Sequence, residues 1–134
     1  MPSIFSKIVS GDIPAFKVAE DDNYVAFLDI SPLAKGHVLV IPKKETDYIF
    51  DLDSEEFLGL FSFAKKVAKA MDKIISCERI GVAVIGLEVP HAHIHLVPIN
   101  SVGDIDFSQL KIEVEANRMH EIAASIQGAF QELD

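Results

Sequence analysis

The chain has 134 residues, of which 49% are hydrophobic and 25% are charged, and its formal net charge is −9 at pH 7. This length and composition fit a single globular domain and argue against a disordered or fibrous protein. The acidic balance argues against a nucleic-acid-binding protein, which needs a broad basic face. The apolar runs are shorter than the roughly 20 residues of a membrane-spanning helix, so we expect no membrane partner.

The first residues and the cysteine content indicate the cellular compartment. The N-terminal stretch MPSIFSKIVSGD has no basic segment followed by an apolar one, so we predict no secretion signal. Cys77 is the only cysteine, which excludes an intrachain disulfide and a cysteine-based zinc site. Both observations predict a cytoplasmic protein.

The first third of the chain predicts one short helix and three strands. Residues 3–9 form the helix, which ends at SGDIP. Residues 16–20 and 23–29 read as two strands joined by the acidic turn Asp21–Asp22. After the loop ISPLAKG, residues 36–41 form a strand rich in β-branched side chains that stops at Pro42.

The clearest predicted element is a helix over residues 53–76, which Asp53 or Ser54 can cap. Its apolar positions follow the i, i+3, i+4, i+7 pattern: Phe57, Leu60, Phe61, Ala64, Val67, Ala68, Met71, Ile74 and Ile75. The stripe is roughly 160° wide, with Phe63 at one edge and Leu58 outside it. Such width indicates either a helix wrapped by its own core or a helix partly covered by a second subunit.

The last part of the chain predicts two strands and a second long helix. Residues 79–85 and 91–99, joined by a tight connection at 86–90, suggest an antiparallel hairpin. Residues 115–131 form an amphipathic helix whose apolar side comprises Met119, Ile122, Ala123, Ile126 and Phe130. The order β-β-β-α-β-β-α predicts a single α+β domain, with an antiparallel sheet of about five strands and helices packed on one face.

Three histidines alternate in the stretch HAHIHLVP, at the start of the last predicted strand. Residues i, i+2 and i+4 of a strand share a face, so His91, His93 and His95 form one face. The residues between them point into the core: Ala92, Ile94 and Leu96. Four interpretations are open: a structural accident, a zinc site, a hydrolytic triad, or nucleotidyl transfer with histidine as the nucleophile. The hydrolytic triad lacks an evident Ser or Cys nucleophile, whereas nucleotidyl transfer uses several imidazoles around one phosphate.

The stretch HAHIHLV resembles the His-x-His-x-His-x-x motif of the histidine triad (HIT) family of nucleotide hydrolases and transferases. Residues 4–45 are similar to the N-terminal half of the family, and FDLDSEE is similar to the start of its central helix. The resemblance covers residues 3–99, so we expect one HIT domain over residues 1–134 with a C-terminal extension at 100–134. Within the family the chain resembles the small Hint-like hydrolases, which act on purine nucleoside phosphoramidates and adenylates.

The resemblance implies a role for each of four histidines. His93 would attack the α-phosphate and form a nucleotidyl-histidine intermediate, and His91 would lie near the leaving group. His95 would donate a hydrogen bond to a phosphate oxygen, and His37, in AKGHVLVIP, would orient the other three. The alternative for His37, without the resemblance, is a buried histidine with satisfied hydrogen bonds. No metal and no other cofactor is implied.

The resemblance also implies a nucleotide pocket. Asp29 would accept hydrogen bonds from the ribose hydroxyls, although a turn residue after a strand is an equally simple interpretation. Apolar side chains would form the wall around the base, although each is also a reasonable core residue: Ile4, Phe5, Ile8, Phe27, Ile30 and Leu39. Val89 would lie at the phosphate end. The expected ligand is a purine nucleotide, such as AMP, GMP or their amidates.

The chain departs from the family pattern just before the triad, in the stretch VAVIGLEVPHAH. Family members have an Asn and a Gln or Ser there, whereas this shorter loop has Val84, Ile85 and Leu87. A loss of such donors typically costs a factor of about 10²–10³ in rate. The main prediction is a homodimeric nucleotide hydrolase cleaving at the α-phosphate. The alternatives are a dinucleoside polyphosphate hydrolase, a nucleotide sensor with low turnover, and a zinc-dependent module.

Overall fold

The computed structural model describes residues 2–133. Its helices and strands, in chain order, are α1 (Ile4–Ser10), β1 (Lys17–Glu20), β2 (Tyr24–Leu28), β3 (Val38–Pro42), α2 (Ser54–Ile74), β4 (Arg79–Ala83), β5 (Ile94–Ile99) and α3 (Ala116–Gln131). Every predicted element is present, with ends that differ from the prediction by at most three residues. Within the described residues, no helix is both long and apolar enough to cross a membrane.

The strands of residues 2–133 form one five-stranded antiparallel sheet in the order β1-β2-β3-β5-β4. The predicted α+β fold and the antiparallel pairing of β4 with β5 are therefore confirmed. The connection between them is longer than predicted, because β4 ends at Ala83 and β5 begins at Ile94. Strand β4 lies at an edge of the sheet, and its outer side is unpaired in the described part of the chain.

The two faces of the sheet carry two separate apolar clusters. On one face, α2 and α3 pack over Ala26, Val40, Ile94 and neighbouring side chains. On the other face, α1 covers a smaller cluster that includes Phe27. The prediction that all helices pack on one face is wrong for α1, because Phe5 and Ile8 of this helix are buried on the opposite face.

Helix α2 begins where its capping residue predicts. The Asp53 carboxylate accepts a hydrogen bond from the Glu56 N–H, which satisfies one of the free donors of the first turn. The residues that α2 buries are Leu60, Phe63, Ala64, Val67, Ala70 and Met71. The predicted stripe is thus rotated toward Phe63, and Phe57, Phe61 and Ile74 remain partly or largely exposed.

The predicted strand 91–99 begins three residues late, at Ile94. The backbone groups before it bond to loops instead of the neighbouring strand. The His91 N–H donates to the Val89 carbonyl at 2.8 Å, and the Ala92 N–H donates to the Thr46 carbonyl at 2.7 Å. His91 and His93 therefore lie in an extended segment leading into β5, and only His95 belongs to the strand. The alternation still holds, because Ala92 and Ile94 are in the core beneath α2.

Candidate active site

The histidines of the triad lie together above the sheet face that α1 covers. The ring centroids of His93 and His95 are 4.9 Å apart, and the Phe5 ring contacts His93 edge-on at 5.0 Å. All three triad histidines are buried, and among polar residues such burial requires hydrogen-bond partners. The partners of each ring nitrogen define what that ring can do.

The hydrogen bond that His93 makes through Nδ1 leaves Nε2 available as a nucleophile. His93 Nδ1 lies 2.8 Å from the backbone carbonyl oxygen of His91. A carbonyl only accepts, so Nδ1 carries the proton and Nε2 keeps its lone pair in the neutral ring. The ring of His93 also lines both cavities of the site.

The side chain of His91 is fully engaged by the protein, and its place near a leaving group, which the family resemblance implied, stays a prediction. Its side chain is 0% exposed, and Nε2 donates to the Pro42 carbonyl at 2.7 Å. Nδ1 accepts from the Ser3 hydroxyl at 2.9 Å, so both ring nitrogens are occupied by the protein. The backbone carbonyl of His91 therefore orients the His93 ring, and the ring of Phe5, a residue of α1, contacts both imidazoles.

A network of α1 residues and Glu45 supports His91. Glu45 accepts from the Ser3 N–H and from the Ser6 hydroxyl, both at 2.6 Å. These bonds, the one from Ser6 first, lower the pKa of the Glu45 carboxyl to about 2. The Ser3 hydroxyl also accepts from the Ser6 N–H, so one side chain caps α1 and contacts the buried imidazole of His91.

His37 and His95 form a relay of defined tautomers. The Leu33 N–H donates to His37 Nδ1 at 3.0 Å, so the neutral His37 ring carries its proton on Nε2. That nitrogen lies 3.0 Å from His95 Nδ1, which leaves the His95 proton on Nε2. Burial lowers the pKa of His37 to about 4 and that of His95 to about 3, so both rings are neutral at pH 7.

The turn before β3 places His37 next to β5. Gly36 has a φ of 89°, a conformation that favours glycine, and a Cβ here would collide with the Ile75 side chain. Leu39 pairs with His95 across β3 and β5, which brings the end of one strand beside the start of the other.

Asp29 lies at the end of β2, beside His37. One carboxylate oxygen accepts from the Ser31 N–H at 2.9 Å, and the other lies 3.7 Å from His37 Nε2. Burial raises the pKa of Asp29 against the lowering effect of the Ser31 bond. The bond to Ser31 fits the turn interpretation, and the position beside the histidines fits the ribose interpretation.

One group of side chains within residues 2–133 has the spacing of metal ligands, and it consists of Asp29, His37 and His95. One ligand atom from each lies within 4.8 Å of the others. Carboxylate and imidazole are ligands for zinc. A metal bound through His37 Nε2 and His95 Nδ1 would have to displace the hydrogen bond between these two nitrogens.

The apolar residues predicted for the base pocket divide into two groups. Phe5, Ile8, Phe27 and Leu39 are buried together under α1, with Val89 packed against them. Ile4 and Ile30 are instead exposed, by 49% and 75%. The first group forms a buried apolar floor, and the second offers exposed apolar surface for a ligand.

Two cavities meet at His93. The larger, of about 420 Å³, includes Phe57, Phe61, Val84 and Leu87. The smaller, of about 250 Å³, includes Asp29, Ser31, Glu88, His95, Phe107 and Lys111. Leu87 lines both cavities and is 89% exposed. The loop 84–93 therefore presents an apolar side chain where the family resemblance implies an amide.

The sequence did not reveal four residues of the site. Ser3 and Glu45 lie within the matched stretch, but no local pattern connects them with His91. Phe107 and Lys111 lie beyond it, and Phe107 packs its ring 4.6 Å from that of His95. The one available signal was that Lys111 is the only basic residue between Asn100 and Glu115.

This arrangement fits attack on phosphorus. His93 Nε2 offers a lone pair in a buried but accessible position, and His95 Nε2–H offers a donor beside it. Asp29 offers an acceptor for hydroxyls. A site of this kind provides a nucleophile, a donor for phosphate oxygen and a group that orients the substrate.

Comparisons with known proteins identify the family and the fold. The HIT domain model matches residues 10–102. An uncharacterised HIT-like protein of Borreliella burgdorferi is 33% identical over 131 residues, which cover 92% of this chain and 94% of that protein. An adenosine 5′-monophosphoramidase of Schizosaccharomyces pombe is 41% identical over 103 residues, covering 73% and 74%. The crystal structure of a HIT-like protein involved in cell-cycle regulation from Bartonella henselae, with an unknown ligand, has a TM-score of 0.84 at 33% identity and 95% coverage of both chains.

Proposed function

Because the chain belongs to the HIT family, we propose that it hydrolyses purine nucleoside phosphoramidates or adenylates at the α-phosphate. The relative named as an adenosine 5′-monophosphoramidase supports this substrate class. The observation that carries the proposal is the fixed tautomer of His93, whose bond to the His91 carbonyl leaves Nε2 free to attack.

The reaction proceeds in two steps. With a phosphoramidate, His93 Nε2 forms a bond to the α-phosphorus, the bond from phosphorus to the leaving nitrogen breaks, and the amine leaves with a proton taken from solvent; with an adenylate, the leaving carboxylate needs no proton. Water then attacks the phosphorus and releases a proton to solvent, the bond to His93 Nε2 breaks, and the nucleoside monophosphate leaves with the oxygen of that water. His95 Nε2–H stabilises a non-bridging oxygen in both steps, and Asp29 accepts from the ribose hydroxyls.

His91 and His37 act as positioning residues in this proposal. His91 holds His93, and His37 holds His95, each through one hydrogen bond. Ile4 and Ile30 contact the base, over the floor formed by Phe5, Ile8, Phe27 and Leu39. No step requires a metal ion.

We also propose that the protein acts as a homodimer in a reducing compartment, the cytoplasm. Val82, Val84 and Ile85 are exposed at or beside the free edge of β4, and Leu58 is exposed on α2. An exposed apolar edge strand is normally covered by a partner. Residues 1–134 would form one domain, since α3 of the C-terminal extension packs into the main core.

A panel of substrates tests the proposed activity: adenosine phosphoramidate, lysyl-adenylate, dinucleoside polyphosphates and the guanosine equivalents. The unsubstituted protein should prefer the first two classes. His93→Ala should lose about 10³-fold or more in kcat, since no other group replaces the nucleophile. His120→Ala, which removes an exposed histidine on α3 outside the site, is the matched control. Normal turnover by His93→Ala, or a preference for dinucleoside polyphosphates, would overturn the proposal.

A further inference from the structure

The segment between β5 and α3 crosses the candidate site. Phe107 packs its ring against His95, with 4.6 Å between centroids, and against His37 at 6.1 Å. Further along, the Ile112 N–H donates to the Pro32 carbonyl at 2.9 Å. The crossing is therefore anchored on both sides of Lys111.

The Lys111 ammonium uses two of its three N–H donors in hydrogen bonds to the backbone. It donates to the carbonyls of Phe107 at 2.9 Å and Gln109 at 3.3 Å. An ammonium has three N–H donors, so one remains. Within residues 2–133, no carboxylate oxygen lies within 4.0 Å of it. Its side chain lines the same cavity as His93 and His95.

The charges around this cavity disfavour an anion unless Lys111 takes part. Asp29 and Glu88 both line it, and the His37 and His95 rings are neutral at pH 7. Among the residues that line the cavity, Lys111 is the only lysine or arginine. A phosphate that enters beside two carboxylates needs a nearby positive charge, because a buried anion without one is costly.

We propose that Lys111 is a further catalytic residue, whose ammonium donates to an oxygen of the phosphate that His93 attacks. This inference rests on the proposed function. Lys111 supplies, from the 100–115 segment, a side-chain donor that the apolar Leu87 at the same cavity cannot supply. The negative charge that develops during attack then faces one ammonium and the His95 N–H.

Binding of AMP and of adenosine, measured by calorimetry at pH 7, separates phosphate contact from base and ribose contact. Lys111→Met keeps most of the side-chain length and removes the charge. It should weaken AMP binding by about tenfold, while adenosine binding stays within about twofold. It should also lower kcat on adenosine phosphoramidate by about 10²-fold. Lys111→Arg, which keeps the charge, should restore most AMP affinity, and Lys73→Met on the exposed end of α2 should match the unsubstituted protein.

Each other outcome identifies which proposal has failed. Unchanged AMP affinity and unchanged kcat in Lys111→Met would show that Lys111 does not contact the phosphate. Equal losses for AMP and adenosine would show that the lysine only supports the pocket. If the unsubstituted protein binds neither ligand and turns over no phosphoramidate, the proposed function itself is wrong, and the role of Lys111 falls with it.

Discussion

At the scale of single residues, hydrogen bonds fix the protonation pattern of His93 and His95. His93 is held by a carbonyl, and His95 by the neutral ring of His37. In each ring Nδ1 is engaged by the protein, so Nε2 of His93 keeps its lone pair and Nε2 of His95 carries a proton. In the mechanism we propose, the nucleophile and the donor are therefore set before a substrate arrives, which reduces the reorganisation needed during attack.

The low pKa values of His37 and His95 predict that the protein loses stability in mild acid. Unfolding returns both rings to their usual pKa near 6.5, so between about pH 6.5 and 4 the unfolded chain binds more protons than the folded one. The free energy of unfolding should therefore fall with pH across this range, by up to about 1.4 kcal/mol per pH unit for each histidine. Guanidinium unfolding between pH 7.5 and 5 measures the slope.

The variant His95→Gln separates this effect from that of Asp29. Burial raises the pKa of Asp29, which acts on stability in the opposite direction because the folded protein then binds that proton more tightly. His95→Gln should give a shallower slope than the unsubstituted protein. A stability that is independent of pH in the unsubstituted protein would contradict the neutral relay.

Asp29→Asn should weaken ribonucleotides more than their 2′,3′-dideoxy analogues. The carboxylate makes charge-assisted hydrogen bonds with hydroxyls, which are roughly twice as strong as neutral ones. Equilibrium binding of AMP and dideoxy-AMP to both proteins measures the difference. Equal losses for both ligands would mean that Asp29 is only the turn residue that its bond to Ser31 indicates.

Sequence reasoning found the residues of the site that share a local pattern and missed those brought in by the fold. The alternation of His91, His93 and His95 is a period of two, which is visible in any extended segment. The bond from Ser3 to His91 joins residues 88 positions apart, and no periodicity marks it. The contact of Phe107 with His95 depends on how the chain turns after β5, which the resemblance did not cover.

At the scale of elements, α3 is part of the main core although the family model ends at residue 102. It buries one face against α2 and the sheet: Met119, Ile122, Ala123, Ile126 and Ala129. Its 3.6-residue period made the helix predictable. Its place in the core was not predictable, since an amphipathic face fits any apolar surface of similar size.

Ile126→Ala should lower the free energy of unfolding by about 2–5 kcal/mol, because it leaves a cavity at a fully buried position. Gln127→Ala, on the exposed side of the same helix, should change it by less than about 0.5 kcal/mol. Denaturant unfolding of both variants checks this. A small effect of Ile126→Ala would mean that α3 is docked only loosely.

The ends of β5 show why element boundaries are harder to predict than element types. The alternation of side chains that begins at His91 is typical of a strand, so the pattern predicts one strand over residues 91–99. The ladder starts only at Ile94, because the residue before it in the core, Ala92, bonds to Thr46 in a loop. The bond from Ala92 to Thr46 joins residues that are far apart in the chain, so the local sequence does not predict it.

At the scale of the whole molecule, the apolar edge predicts a two-fold dimer. Val82, the next-to-last residue of β4, is 56% exposed, and a groove of about 260 Å³ runs beside it along α2. We expect sedimentation at micromolar concentration to give the mass of a dimer. Val82→Lys should shift the population to monomer, since it places a charge on the edge strand.

Val102→Lys is the control for this experiment, because Val102 is 91% exposed in the turn after β5 and lies outside β4. It should leave the association unchanged. A monomeric unsubstituted protein at micromolar concentration would contradict the dimer, and equal dissociation of both variants would show that the edge of β4 is not its contact.

Detection of a covalent nucleotide on His93 tests the central claim most directly. The protein is mixed with an adenylated substrate, quenched rapidly without acid and measured by intact-protein mass spectrometry, followed by peptide mapping. We predict one adenylyl group on His93, labile to acid and absent from His93→Ala. Near-normal turnover by His93→Ala would contradict this claim. Activity that is lost on chelation and restored by zinc would also contradict it, and would point to the cluster of Asp29, His37 and His95 as a metal site.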